Sequence, residues 1–213
     1  MSEWLTARPV AHRGLHDAAA GVIENTAIAF AAAIAGNYAI ECDLQISADG
    51  EAMVHHDAAL GRLTEGAGRL DALSAAELKR VAFRTTADRM LTLGELCDLV
   101  AKRVTLVLEL KSRFGGDPRL PRRVAKVLAS YRGPAAVMSF DPGPISALRQ
   151  LAPTLRRGLV AQRREAADAH DGTRGSPLRF AARILAARLD FLDRKSTRLN
   201  SSHSDRSRMP SSA

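Results

Sequence analysis

Apolar residues in this chain fall into short runs that predict strands, separated by longer amphipathic stretches that predict helices. The most informative run is Ala39–Ile46, AIECDLQI. Side chains of an extended strand alternate between its two faces. Ile40, Cys42 and Leu44 therefore share one face, and Glu41 and Asp43 share the other. Asp49-Gly50 supplies a turn, and Ala52–His56 is extended again, leading into His55, His56 and Asp57. Upstream, Arg8–Arg13 (RPVAHR) predicts a short buried strand, and Glu24-Asn25-Thr26 opens an alanine-rich helix that Gly36-Asn37 stops. Residues 58–92 predict loop and short helices, with Ser74/Glu77 and Thr92/Glu95 spaced as capping boxes. Val104–Lys111 and Ala135–Phe140 predict strands, and Pro118–Arg132 and Pro144–Leu151 predict helices. Arg157–Ala161 predicts a strand, Pro177–Ala187 a helix behind Ser176, and Leu189–Leu192 the start of a sixth strand.

Strands separated by helices imply a parallel sheet with right-handed crossovers. Either a doubly wound sheet or a (β/α)8 barrel satisfies that pattern, and the polar residues choose between them. They fall at three different strands: His12 and Arg13 on the first, Glu41 and Asp43 on the second, Glu109 and Lys111 on the third. One site built from the ends of several strands is the barrel arrangement. No GxGxxG follows the first strand, which argues against a dinucleotide-binding sheet.

Composition changes this picture little. The chain of 213 residues is long enough for a substantial core. Its two cysteines, Cys42 and Cys97, form neither a disulfide framework nor a metal-binding spacing, which suits a reducing compartment. The start MSEWLTARPV lacks the basic and apolar regions of a signal peptide, and no apolar run is long enough for a membrane span. A cytoplasmic protein without membrane insertion is the expectation. Half of the net charge of +8 lies in residues 194–213, where five basic residues face only Asp205. The rest is mildly basic, which favours anionic ligands. Without aromatics interleaved among the basic residues, nucleic acid is not the expected partner.

The candidate chemistry lies in the polar residues. Two carboxylates on one face of an otherwise apolar strand are costly to bury unless a cation or donor sits between them. Hard oxygen ligands close to His56 and its neighbour Asp57 point to metal-assisted proton transfer. His55 is expected to be structural.

AHRG at 11–14, ENT at 24–26, ECD at 41–43, HHD at 55–57 and ELK at 109–111, with Ser139-Phe140 after the fourth strand, together resemble the glycerophosphodiester phosphodiesterase family. The resemblance covers about residues 8–192. It implies a (β/α)8 TIM-barrel-type α/β fold with a small insertion after the second strand, here residues 58–90. It also implies divalent-cation-dependent hydrolysis of a small glycerophosphodiester to glycerol 3-phosphate and an alcohol. Carried onto this chain, His12 and His56 match the acid–base pair, and Glu41, Asp43 and Glu109 match the metal ligands. Arg13 and Lys111 match the substrate's cationic contacts, and Glu24 and Asn25 match the supporting polar shell. Three carboxylates without a cysteine ligand favour Mg²⁺ or Ca²⁺ over Zn²⁺.

The resemblance stops near residue 193, so the barrel is expected to be incomplete, with about six of eight strands. An open barrel would expose strand edges, which predicts instability and impaired activity. Residues 194–213 are serine-rich, poor in apolar residues and foreign in character, and are expected to be disordered. Two alternatives stand beside the enzyme reading. One is an inactive barrel fragment; the other, disfavoured by the cysteines and the absent signal peptide, is a sphingomyelinase D-like phospholipase.

Overall fold

The computed structural model describes residues 3–162 and 189–195. A short helix α1 (Glu3–Thr6) leads into strand β1 (Val10–His12), and helix α2 (Ala27–Ala35) carries the chain to β2 (Ala39–Ile46). Strand β3 (Ala52–Val54) returns antiparallel to β2 through a turn in which Gly50 takes φ +85°. Then follow α3 (Ala75–Leu78), α4 (Leu93–Val100), β4 (Leu106–Leu110), α5 (Arg119–Leu128), β5 (Ala135–Ser139), α6 (Pro142–Leu151), β6 (Arg156–Gln162) and β7 (Phe191–Lys195). The sheet order is β1-β2-β4-β5-β6-β7, every neighbouring pair parallel, with β3 attached to β2 alone. This is an α/β fold of the (β/α)8-barrel type. Among the described residues the path runs open from β1 to β7.

Strict alternation along the strands builds the two faces. Ile40, Cys42, Leu44, Leu106, Leu108, Leu110 and Val137 face outward into the main core, against Phe30, Leu96, Val100, Val124 and Leu148 of the helices. The other face looks into the barrel. There Val107, Met138 and Val160 form an apolar layer, joined by Leu5 from α1 and by Phe191. Gly158 makes room for that Phe191 ring, because a Cβ there would lie 2.3 Å from it. Two residues further along β4, on the same face, is Glu109. The barrel interior is therefore apolar toward the strand starts and acidic toward their ends.

The capping boxes form as the spacing predicts, Ser74 with Glu77 and Thr92 with Glu95. The helix behind Ser74 is nonetheless only four residues long. Beyond Leu78 the chain tightens, with Arg80 N–H donating to Glu77 O and Val81 N–H to Leu78 O. Helix α5 also ends earlier than its amphipathic pattern suggests, at Leu128. Helix α6 begins earlier than expected, because the Asp141 side chain accepts from Gly143 N–H and Pro142 occupies the first turn. Gly36 caps α2 at φ −80°, and Asn37 takes the left-handed turn.

Residues 58–90 gather around a small second core, in which Leu70, Leu78, Phe83 and Met90 pack with Ile23 and with Met53 of β3. Asp88 accepts from Ile28 N–H at the start of α2, and Asp49 accepts from Ala75 N–H. Trp4 lines a cavity of about 670 Å³ with Tyr131, Pro134 and Leu151, and its carbonyl accepts from Thr105. The sequence offers no partner for it. Strand β7 runs two residues into the segment expected to be disordered, pairing 194 and 195 with 161 and 162. The expected helix Pro177–Ala187 and residues 196–213 lie outside the described residues.

Candidate functional site

Parallel pairing brings the candidate residues together. Register sets His12, the last residue of β1, beside Glu41 on β2, and sets Asp43 beside Glu109 on β4. Cross-strand neighbours face the same way, so the acids of β2 and β4 point into one space. Glu41, Asp43 and Glu109 are 4%, 0% and 1% exposed. One ligand oxygen from each lies within 4.8 Å of the others. The acids expected at strand ends in fact sit partway along β2, whose last residue is Ile46.

Cations and donors surround this cluster. Lys111, just past the end of β4, places Nζ 2.8 Å from Asp43 Oδ1 and donates to Glu109 Oε1. Arg13 Nε lies 3.2 Å from Asp43 Oδ2, and its Nη1 donates to Glu24 Oε1 at 2.9 Å. Burial pushes the Asp43 carboxyl up, but Lys111, His56 and Asn25 outweigh it and hold the group below the usual carboxylate range. Burial likewise opposes the charge on Lys111, and Asp43 and Glu109 more than restore it, so the ammonium is held above its ordinary value.

Two left-handed residues shape the loop that delivers these groups. Arg13 has φ +59° and Asn25 φ +58°. The Arg13 amide donates to Glu41 Oε2 at 3.0 Å, and the Asn25 amide donates to Arg13 O at 2.9 Å. The buried Asn25 side chain donates to Asp43 Oδ2 at 2.9 Å and accepts from Asp43 N–H. Non-glycine residues in this region are uncommon and cluster where a site needs the backbone in one place.

His12 Nε2 lies 3.8 Å from Glu41 Oε2, with its side chain 42% exposed. His56 places Nδ1 2.7 Å from Asp57 Oδ1. His55, by contrast, is buried and packs against Phe83, as expected of a structural residue. Glu24 accepts from Arg13 and from Arg62.

Two partners were not expected from the sequence, and a third, Asp57, is marked there without this role. Gln45 Nε2 donates to the His56 carbonyl at 2.9 Å. It continues the Glu41, Asp43 alternation, which is the signal that could have found it. Asp57 serves as the partner of the His56 ring. Arg62 joins Asp57 to Glu24, and nothing local in the sequence marks it.

The cluster suits a metal ion by its donor set: three buried carboxylates converging from neighbouring strands, with no thiol among them. Cys42 and Cys97 are free, buried and on the outward side. Burial pushes both thiols up, that of Cys97 to about 12, and neither belongs to the acidic cluster. No described helix is long and apolar enough to cross a membrane.

Comparison with known proteins places the chain in a family. The model of the Glycerophosphoryl diester phosphodiesterase family matches residues 12–206, reaching past the point where the motif resemblance fades. A glycerophosphodiester phosphodiesterase of Caldanaerobacter subterraneus subsp. tengcongensis is 30% identical over 163 residues, covering 72% of this chain and 66% of the relative. Another, from Bacillus altitudinis, is 30% identical over 161 residues, covering 70% of this chain and 64% of the relative. The chain thus spans slightly less than two thirds of the length of these relatives. Among solved structures, an Oleispira antarctica phosphodiesterase in complex with the product sn-glycerol-3-phosphate shares the fold. Its TM-score is 0.72 at 24% identity, covering 89% of this chain and 76% of that one. The chain belongs to the glycerophosphoryl diester phosphodiesterase family.

Proposed function

We propose that this chain hydrolyses small glycerophosphodiesters to glycerol 3-phosphate and an alcohol, with Glu41, Asp43 and Glu109 holding one Mg²⁺ or Ca²⁺ ion. The observation that carries this reading is the convergence of those three buried carboxylates within 4.8 Å of one another. Two named phosphodiesterase relatives and a neighbour bound to sn-glycerol-3-phosphate support it.

A phosphodiester resists attack because its negative charge repels nucleophiles. A bound divalent ion would draw off the charge that builds on the phosphoryl oxygens. Arg13 and Lys111 offer the phosphate two further cations from the rim of the same cluster. Glu24 and Asn25 hold the loop that carries Arg13. His12 and His56 form the acid–base pair. One imidazole takes the proton of the attacking hydroxyl, water or the substrate's own, and the other returns a proton to the leaving alkoxide. The contact of His56 Nδ1 with Asp57 leaves Nε2 to exchange protons. The buried free thiols of Cys42 and Cys97 suit a reducing, cytoplasmic setting.

The test is release of glycerol 3-phosphate from glycerophosphocholine, with and without Mg²⁺ or Ca²⁺ after EDTA treatment. Metal-dependent release is expected, with His12→Ala and His56→Ala each lowering kcat by about 10²–10⁴-fold. No release from any glycerophosphodiester would defeat the proposal. Turnover of sphingomyelin alone would favour the lipid-acting alternative.

A further inference from the structure

Arg62 lies outside the groups assigned to chemistry, yet its guanidinium spans two of the elements that carry them. One arm, Nη2, donates to Glu24 Oε1 at 2.6 Å, and Nε donates to Asp57 Oδ2. Each acceptor is itself engaged with a residue of the proposed machinery. Asp57 turns its second oxygen, Oδ1, to His56 Nδ1 at 2.7 Å. Glu24 Oε1 also receives Arg13 Nη1 at 2.9 Å, and Arg13 Nε lies 3.2 Å from Asp43. A continuous polar chain therefore runs His56–Asp57–Arg62–Glu24–Arg13–Asp43.

The backbone beneath Arg62 is built to hold it in place. Gly61, at φ +116°, donates its N–H to Thr64 Oγ1 and accepts from Arg84 Nε through its carbonyl. Thr64 is fully buried and bridges to Phe83, the ring against which His55 packs. Arg62 itself is 47% exposed. An ion pair that open to solvent contributes little to stability, so a fold-holding purpose explains this arrangement poorly. A planar fork that reaches two carboxylates at once is suited to fixing direction.

We infer that Arg62 is a positioning residue, orienting His56 through Asp57 and Arg13 through Glu24, and so tying the segment 58–90 to the reacting groups. This rests on the function proposed above. The ion pairs of Arg62 go to Glu24 and Asp57, not to the three carboxylates of the cluster, so it sets the angle of the groups beside them. With Arg62 removed, Asp57 is left with His56 and Glu24 with Arg13, so each carboxylate can swing together with the group it steers and that group loses its single orientation.

The test compares wild type with Arg62→Ala, Asp57→Asn, the double variant and Arg62→Lys. Turnover of glycerophosphocholine, thermal melting and ¹⁵N-edited imidazole spectra are read on each. Arg62→Ala is expected to lower kcat/KM by about tenfold or more with melting nearly unchanged. The double variant should lose less than the product of the two single losses, because both changes cut the arm to His56, while only the loss of Arg62 also cuts the arm to Arg13. Arg62→Lys keeps the charge but cannot bridge both carboxylates, so it should restore only part of the loss. In the spectra, the His56 ring, identified by loss of its signals in His56→Gln, should show one Nδ1-protonated tautomer in wild type and a mixture in Arg62→Ala. Multiplying losses in the double variant would overturn the inference. So would unchanged turnover in Arg62→Ala, or a melting collapse with normal turnover per folded molecule. If wild type releases no glycerol 3-phosphate, the functional reading fails by itself, and the imidazole spectra still decide whether Arg62 orients His56.

Discussion

Asp43 concentrates the physical problem of the site. It is fully buried, yet it is held ionised by Lys111, Arg13 and Asn25. Breaking a buried pair leaves the partner charge uncompensated, a loss of about 3–5 kcal/mol when both groups are deeply buried. Lys111 keeps Glu109 as a second partner, so Asp43→Asn should cost less, about 2–3 kcal/mol in urea unfolding. The sign with pH follows from the depressed carboxyl. A group whose folded pKa lies below its unfolded value stabilises the protein above the ordinary carboxylate range, and the contribution is lost as pH falls through the folded value. Glu24 behaves alike: burial pushes it up, and Arg62 and Arg13 hold it down. Stability should therefore fall as pH drops below about 4, with a shallower slope in Asp43→Asn. An unchanged slope would mean that Asp43 titrates normally in the fold.

At the scale of elements, loops with special backbone geometry matter more than the regular segments they join. Gly14 takes φ +81°, and a Cβ there would lie 2.9 Å from Ala29 Cβ and 3.0 Å from the Phe30 ring. Gly14→Ala should therefore lose more than about 1 kcal/mol of stability and also disturb the neighbouring Arg13 amide on Glu41; equilibrium unfolding checks the first and turnover the second. The elements themselves were unevenly legible. The bounds of β2 follow directly from its alternation, which ends where the Asp49-Gly50 turn begins. The length of the helix behind Ser74, four residues, was not legible, because the capping box marks a start and carries no information about the end. The start of α6 was missed because Asp141-Pro142-Gly143-Pro144 has turn composition, although Asp141 and Pro142 form a helix entry once Asp141 caps Gly143.

For the whole molecule, the sheet converts residues far apart in sequence into one surface. Glu41, Asp43 and Glu109 were recognisable because each sits in an i, i+2 polar pair at a strand, a pattern visible locally. Arg62 was not, because its meaning depends on Glu24, 38 residues away, and on how the segment 58–90 folds back over the strand ends. Trp4 was opaque for the same reason: its carbonyl meets Thr105 across the sheet. Long-range register is what a local pattern cannot supply, and it is the feature on which the proposed site depends.

The most direct test of that register is calorimetric titration of EDTA-stripped protein with Ca²⁺ or Mg²⁺, beside the Asp43→Asn variant. One ion bound per chain, with binding lost or strongly weakened in the variant, is the predicted result. No saturable binding, or the same binding in Asp43→Asn, would contradict a metal site shared by β2 and β4.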